Sequence, residues 1–286
     1  MAPELAVAVV NYNAGRFLAR CLGSIVGATG DVDAEVVIVD NGSTDGSVER
    51  VVGDHPDVTV IRNAGNRGFA RAANQAMAAT SASFVLLLNP DAEIIGGTPA
   101  TLLKVARERP RAGAIGTLVR NPDGSIQPSA RRDPKLGEAL GHAFLGPLWR
   151  TNPWTRSYTM AGWDRSSERP VEWVSGSAML LRRAAFEEVG GFDEGYFMFV
   201  EDVDLCTRLR RAGWEVLFSP ELEVVHQIGV STRGQRGRMA FVHSDSIYRY
   251  YCKFRATGAG GMLKPLVRVA LWGRALLMAG VRGGRR

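Results

Sequence analysis

Four kinds of side chain in this sequence could do chemistry, and most stand where an apolar run stops. Asp91 follows a run at 84–88 and the pair Asn89-Pro90. A carboxylate there can take part in holding a divalent cation on a pyrophosphate, since Mg2+ uses one or two protein carboxylates plus phosphate oxygens. The same aspartate could equally close the strand as an Asx turn. Asp40 opens a polar hexapeptide ending at Asp45. It reads as a turn with a helix cap, or as a carboxylate set against a pyrimidine imide or a ribose hydroxyl. Tyr12 could pack against a base or be an ordinary rim aromatic. Glu201, Asp202 and Asp204 begin a helical pattern, where the helix dipole stabilises acids. The preceding Phe197, Met198 and Phe199 make that approach apolar, and a carboxylate beside such a wall can have a raised pKa and act as a general base. Asp204 and Arg208, four apart, could pair on the helix. His226 ends the run Val224-Val225 and is either a structural hydrogen-bonder or a contact to metal or phosphate.

Such residues work together only if a scaffold brings distant loops to one edge. Runs rich in Val, Ile and Leu at 5–10, 36–39, 58–61 and 84–88 alternate with helical patterns over 16–28, 44–52, 68–79 and 98–108. Ser43 or Thr44 could cap the second helix, and Thr98-Pro99 opens the fourth. Strands alternating with helices predict an α/β fold with a doubly wound parallel sheet, and near-continuous apolar strands predict burial on both faces. Ligands then bind beyond the carboxyl ends of the strands. The residues at those ends are Asn11-Tyr12-Asn13, Asp40-Asn41-Gly42-Ser43, Arg62-Asn63 and Asn89-Pro90-Asp91, all expected on one rim. None matches a dinucleotide G-x-G-x-x-G or a Walker A loop, which counts against a dehydrogenase and a P-loop kinase. After residue 120 come the turn 121–124, a strand-like 125–130, an irregular segment over 131–170 with Trp149, Trp154 and Trp163, a strand over 171–182, a helix over 201–211, and strands at 214–218 and 223–225. From about Gln235 the pattern is mostly helical.

The 286 residues allow one large domain or two small ones, and 45% hydrophobic residues exclude wholesale disorder. Cys21, Cys206 and Cys252 lie far apart and suggest neither disulfides nor zinc, so they read as reduced thiols of a cytosolic protein. Glu4 stands where a signal peptide would carry positive charge, and the apolar runs are strand-sized, so no membrane span is expected. The net charge of +6 divides unevenly: residues 231–286 hold twelve Lys and Arg against the single acid Asp245, leaving −5 for residues 1–230. A basic tail calls for an anionic partner. At ~100° per residue Lys264, Arg268, Arg274 and Arg282 share an arc that Leu263, Leu266, Val267, Ala270, Leu277 and Met278 largely avoid. That reads as a helix for an anionic membrane surface, or as an amphipathic helix packed on the body. Nucleic acid is disfavoured, because aromatics do not interleave with the basic residues in a recognisable binding module.

Six motifs in register resemble those of inverting family 2 glycosyltransferases with the Rossmann-like GT-A fold. They are Asn11-Tyr12-Asn13, the hexapeptide from Asp40, Gly65 through Arg71, Asn89-Pro90-Asp91, the segment from Trp173 through Ala178, and Phe192-Asp193-Glu194 through Glu201-Asp202. Asn121 through Ser125, Pro128 through Arg131, 145–149, 152–154, 167–170 and 196–205 are similar to actinobacterial rhamnosyltransferases. Those enzymes move L-rhamnose from dTDP-rhamnose to N-acetylglucosaminyl-diphospho-polyprenol, the linker between arabinogalactan and peptidoglycan. The resemblance implies a catalytic domain over 1–230, its nucleotide-sugar half at 1–120 and its acceptor half at 121–230, with a membrane-associating tail over 231–286. It implies a peripheral enzyme on the cytoplasmic face of the plasma membrane and leaves oligomeric state open, a dimer included. Asn11, Tyr12, Asn13, Asp40, Asn66, Arg67, Gly68, Arg71 and Asn89 would bind the nucleotide sugar. Asp91 and His226 would hold Mg2+ or Mn2+, with Asn89 where the family's Asp-x-Asp motif has its first carboxylate. Asp202 would be the base, with Glu201 as the fallback. Trp173, Ser175 and Gly176 would meet the acceptor, and Arg131 its diphosphate. Alternatives are transfer of another sugar such as galactofuranose, a non-catalytic membrane-bound scaffold, and a nucleotidyltransferase; the last would want a Gly-rich basic first loop, which residues 11–16 do not supply.

Overall fold

In a computed structural model of the chain, residues 3–30, 32–133, 151–227, 229–230 and 234–280 are described, with 138, 141, 145 and 149 between them. Strands β1 (Leu5–Asn11), β2 (Ala34–Asp40), β3 (Thr59–Arg62) and β4 (Phe84–Leu88) run parallel, joined through helices α1 (Arg16–Ala28), α2 (Glu49–Val52) and α3 (Phe69–Ala78). Side chains of β1 alternate between two cores. Leu5, Val7 and Val9 meet Leu18, Leu22 and Ile25 of α1, while Ala6, Ala8 and Val10 meet Ala70, Ala73 and Met77 of α3. Burial on both faces is why these strands read as unbroken apolar runs. In register, Asn11 pairs with Asp40 and Asp40 with Arg62, so the expected rim clusters do share one edge.

The second half completes the sheet through β5 (Ala92–Gly97), α4 (Pro99–Glu108), β6 (Ala112–Arg120), β7 (Ala130–Arg131), α5 (Pro153–Tyr158), β8 (Arg169–Pro170), β9 (Trp173–Val174), β10 (Ala178–Arg182), α6 (Arg183–Glu188), α7 (Glu201–Arg211) and β11 (Glu215–His226). The order is β3-β2-β1-β4-β10-β6-β11-β5, with β8 beside β11, and β7 and β9 form a separate pair. The sheet is mixed and mostly parallel, with β10 antiparallel to both neighbours.

Several expectations change. The helix over 44–52 shrinks to α2, with Val48 at its N-cap position and no side-chain cap, and the Ser43 hydroxyl turns back to Asp40. Thr98 does cap α4, with Pro99 in its first turn. The strand over 171–182 is broken into two, β9 and β10, and 214–218 and 223–225 merge into β11 across a register shift. Of 125–130, only Ile126 bridges Arg120 before β7 starts. β5 and β6 were not anticipated. In β6 a Cβ on Gly116 would lie 2.5 Å from Val174 Cγ1, so the close crossing of β9 requires a glycine where a strand would otherwise show a branched residue.

Three helices follow β11: α8 (Arg236–Phe254), α9 (Ala259–Met262) and α10 (Lys264–Gly280). α10 packs on α8 through the buried Leu271 and Ala275. Arg268 turns inward to Asp245 at 2.9 Å, and Arg274 approaches His243 at 3.4 Å. The basic arc is therefore partly engaged with α8, and Leu266, Val269, Leu276 and Leu277 face outward. Arg282 lies outside the described residues. Cys21 and Cys206 are buried free thiols, and Cys252 is partly buried.

Candidate active site

A cleft of about 570 Å³ opens at the carboxyl edge of β1, β2 and β4. At one end, Asp91 leaves β4 and His226 ends β11, which pairs with β5 at Ala92. His226 Nε2 lies 3.2 Å from Asp91 Oδ1 and 3.2 Å from the Asn89 amide. Its Nδ1 lies 3.0 Å from Gln127 Oε1. With Nδ1–H donating to Gln127, Nε2 keeps its lone pair, the state a metal-ligating histidine needs. One carboxylate, one imidazole and an open cleft fit a divalent ion whose remaining positions are filled by water and phosphate oxygens. Among the described residues there is no group of three or more His, Cys, Asp or Glu that would enclose an ion by itself.

At the other end, Glu201 and Asp202 begin α7. The turn that delivers them is unusual: Phe199 and Val200 both have left-handed backbones, with φ of 70° and 68°. Side chains rarely adopt this conformation, a β-branched one least of all. Asp202 Oδ2 accepts from the Gly176 N–H at 3.1 Å and Oδ1 from the Val203 N–H at 2.8 Å. The break in the 171–182 strand is what aims the Gly176 N–H at Asp202. Glu201 is buried, and its Oε2 has no hydrogen-bond partner. Burial, and then the neighbouring Asp202, push the Glu201 carboxyl up to about 8. Burial also raises Asp202, but the two backbone N–H groups and the Arg131 charge oppose the rise. The two carboxyls thus sit in different environments: burial raises both, and at Asp202 the backbone N–H donors and Arg131 oppose the rise, the kind of difference by which two carboxyls take different catalytic roles.

Arg131 lines the cleft wall beside Ser129. Its guanidinium stacks between Tyr158 and Trp173, 5.1 and 5.0 Å from the ring centroids, and its Nε donates to the Pro128 carbonyl at 2.6 Å. Ser175 and Gly176 line the cleft beside it.

Of the residues expected at the nucleotide, Tyr12, Asn66 and Asn89 line the cleft. Asn11 is buried behind it, with its amide within 3.0 Å of Asp40 Oδ1, Ser43 Oγ and Ser47 Oγ. Asp40 also accepts from the Ser43 N–H at 3.2 Å. Asn13 orders the same loop, accepting from the Thr44 N–H at 2.8 Å. Arg67 donates its backbone N–H to Asn41 Oδ1 at 3.0 Å, and Arg71 pairs with Glu194 at 3.3 Å near the surface. Gly68 has φ of 89°, and a Cβ there would meet the Phe197 carbonyl oxygen at 2.6 Å. Asn11, Asn13, Asp40, Arg67, Gly68 and Arg71 are therefore not among the cleft-lining residues; their contacts shape the loops around it.

Residues 6–190 match the family described as Glycosyl transferase family 2. The chain belongs to that family. Residues 148–281 also match Glycosyl transferase family group 2. The N-acetylglucosaminyl-diphospho-decaprenol L-rhamnosyltransferase of Mycobacterium tuberculosis (strain ATCC 25618 / H37Rv) is 41% identical over 259 residues, 87% of this chain and 84% of that protein. Rhamnosyltransferase WbbL of Escherichia coli (strain K12) is 31% identical over 173 residues, 60% of this chain and 62% of that protein. Among solved structures, the mannosyltransferase PcManGT from Pyrobaculum calidifontis, in complex with GDP-Man and Mn2+, matches with a TM-score of 0.60 at 19% identity, covering 100% of this chain and 77% of that one. GalNAc-T7 with UDP, GalNAc and Mn2+ matches with a TM-score of 0.59 at 18% identity, covering 79% and 44%. The fold is GT-A.

For this family 2 glycosyltransferase the sequence reading missed several cleft residues. Asn41 bridges Asn66 and Gly68 through its side-chain amide, at 3.0 and 3.1 Å. Gln127 and Tyr158 carry no charge, the first in the segment read as strand-like and the second in the stretch read as irregular. Gln235 and Arg238 line a second hollow of about 210 Å³ with Tyr12 and Asn66. They belong to a segment whose basic composition pointed to a membrane instead.

Proposed function

We propose that the chain transfers L-rhamnose, with inversion, from dTDP-rhamnose to N-acetylglucosaminyl-diphospho-polyprenol. The observation that carries this reading is the 41% identity, over 87% of the chain, to the mycobacterial rhamnosyltransferase. The cleft agrees with it: a carboxylate held by two backbone N–H groups stands at one end and a diphosphate-suited pair at the other.

In this reading Asp202 takes the proton of the acceptor hydroxyl as its oxygen attacks the anomeric carbon. The bond from that carbon to the departing phosphate oxygen breaks, and its electron pair leaves with dTDP. One displacement inverts the centre. The Gly176 and Val203 N–H groups hold the Asp202 carboxylate ionised and oriented. Glu201, keeping its proton, offers a hydrogen bond inside the cleft without competing as a base. Arg131, rigid between two rings, presents a planar donor suited to the acceptor diphosphate. Asp91 and His226 would hold Mg2+ or Mn2+, which supplies charge neutralisation for a leaving diphosphate.

We assign the enzyme to the cytoplasmic face of the plasma membrane as a peripheral protein. No helix among the described residues is long and apolar enough to cross a membrane. The outward apolar face of α10, beside a basic chain end, suits the surface where a polyprenyl diphosphate is anchored.

The test is transfer from dTDP-rhamnose to a short-chain polyprenyl-diphospho-GlcNAc analogue, with and without chelator, against a panel of other nucleotide sugars. A rhamnosylated product of inverted configuration, lost on chelation, is expected. Preference for another donor would overturn the assignment of the sugar.

A further inference from the structure

We propose that Ser246 and Lys253 of α8 are positioning residues for glycosyl transfer: they hold the left-handed Phe199–Val200 turn that delivers Glu201 and Asp202 to the cleft. The proposal rests on glycosyl transfer by this site and not on the identity of the sugar.

Two consecutive non-glycine residues in left-handed conformation persist only where the surroundings over-determine them. Here the restraints come from opposite sides. The Phe197 carbonyl accepts from the Phe69 N–H at 2.7 Å, on the nucleotide side. The next carbonyl, of Met198, accepts from the buried Ser246 hydroxyl at 2.8 Å, on the α8 side. His243, one turn earlier on α8, meets the Phe199 ring edge-to-face at 5.3 Å between centroids. The peptides leading into the turn are thus pinned in opposite directions, and the turn cannot relax without breaking one of them.

The ends of the segment are clamped by the same helix. Lys253 Nζ lies 2.8 Å from Asp193 Oδ2 and 2.7 Å from Asp204 Oδ2. It therefore ties a residue before the turn to one after it. Arg249 adds a hydrogen bond of 2.7 Å to Asp193, and it gets there because residue 195 is glycine: a Cβ would fall 2.1 Å from its guanidinium carbon. Asp204 is fully buried and also binds Arg208 at 2.5 Å and the Tyr196 hydroxyl at 3.1 Å. Of the α8 residues named here, only His243 lines the cleft. Ser246 and Lys253 act through the backbone that carries the base.

The experiment compares Ser246→Ala and Lys253→Met with the conservative Ser246→Thr and Lys253→Arg, using whichever sugar the wild type transfers. A misplaced base lowers kcat, on the order of 10–100-fold for a displacement near 1 Å, while KM for the nucleotide sugar stays within about twofold. The conservative variants restore most of the rate. Amide exchange at 199–203 accelerates in Ser246→Ala, a readout that does not depend on activity. Unchanged kcat with unchanged exchange at 199–203 would overturn the proposal, as would a raised KM at unchanged kcat. Should Lys253→Met not fold, Ser246→Ala decides alone. A wild type inactive with dTDP-rhamnose but active with another donor overturns the donor assignment and leaves these ratios readable.

Discussion

At the scale of single residues, the division of labour proposed for Glu201 and Asp202 rests on hydrogen bonds, not on residue type. Asp202 has two backbone donors and Glu201 Oε2 has none. Replacing the base should remove chemistry and leave binding. Asp202→Asn is expected to cut kcat by about 10²–10⁴, the span of general-base contributions, with dTDP affinity nearly unchanged in calorimetric titration. Near-normal turnover would sink the assignment. Glu201 leaves a different trace. Its carboxyl rises from 4.5 to about 8 on folding, so between these values the folded protein keeps a proton that the unfolded chain has released. Stability attributable to this group is therefore fully present below pH 4.5 and falls as pH rises towards 8, then levels off. The isosteric Glu201→Gln cannot ionise. Its Tm relative to wild type should climb from pH 5 to pH 9, and parallel Tm curves over that range would show that Glu201 does not titrate this way.

At the scale of elements, the legible part of the fold was the part whose signal is local. β1 to β4 declare themselves because both faces of each strand are buried, and the rim clusters follow from the direction of the chain. β6 was hidden by the glycine needed at its crossing with β9. The break that aims the Gly176 N–H at Asp202 was hidden because Val174 to Ala178 reads as continuous strand. Asn89, Gln127 and His226 meet across separations of 99 and 137 residues, and only the histidine carried a type-based hint. Gly68 shows the same limit. Its place in a nucleotide-binding motif suggested ligand contact, whereas the structure shows a backbone crossing: the Phe69 N–H reaches the Phe197 carbonyl only because residue 68 lacks a Cβ. Gly68→Ala should therefore destabilise the fold by about 1–3 kcal/mol, the usual range for strain at a special backbone conformation. Denaturant midpoints check this. A variant as stable as wild type would mean that the crossing relaxes without strain.

At the scale of the whole molecule, the uneven charge takes on a different meaning once its partners are visible. Part of the tail's positive charge is directed inward: Arg249 and Lys253 neutralise Asp193 and Asp204, and Arg268 neutralises Asp245. Burial alone would raise the Asp193 carboxyl, yet Arg249 and Lys253 hold it well below the usual carboxylate range. The basic segment is in this respect a clamp on an acidic body. Among its described residues it also turns an apolar face of α10 outward, with Leu266, Val269 and Leu277 exposed by 66%, 70% and 67%. Vesicle binding by such a surface should depend on these side chains more than on charge. Replacing all three with serine is expected to leave Tm and turnover on a short-chain acceptor unchanged. Partition onto anionic vesicles should drop by about 100-fold or more, at roughly 1 kcal/mol for each partly inserted side chain. Raising salt from 0.1 to 1 M shortens the screening length from about 10 to 3 Å. If apolar insertion dominates, wild-type binding survives that change in large part. If binding collapses in salt while the serine variant binds as well as wild type, the remaining basic residues, and not the apolar face of α10, hold the enzyme to the lipid.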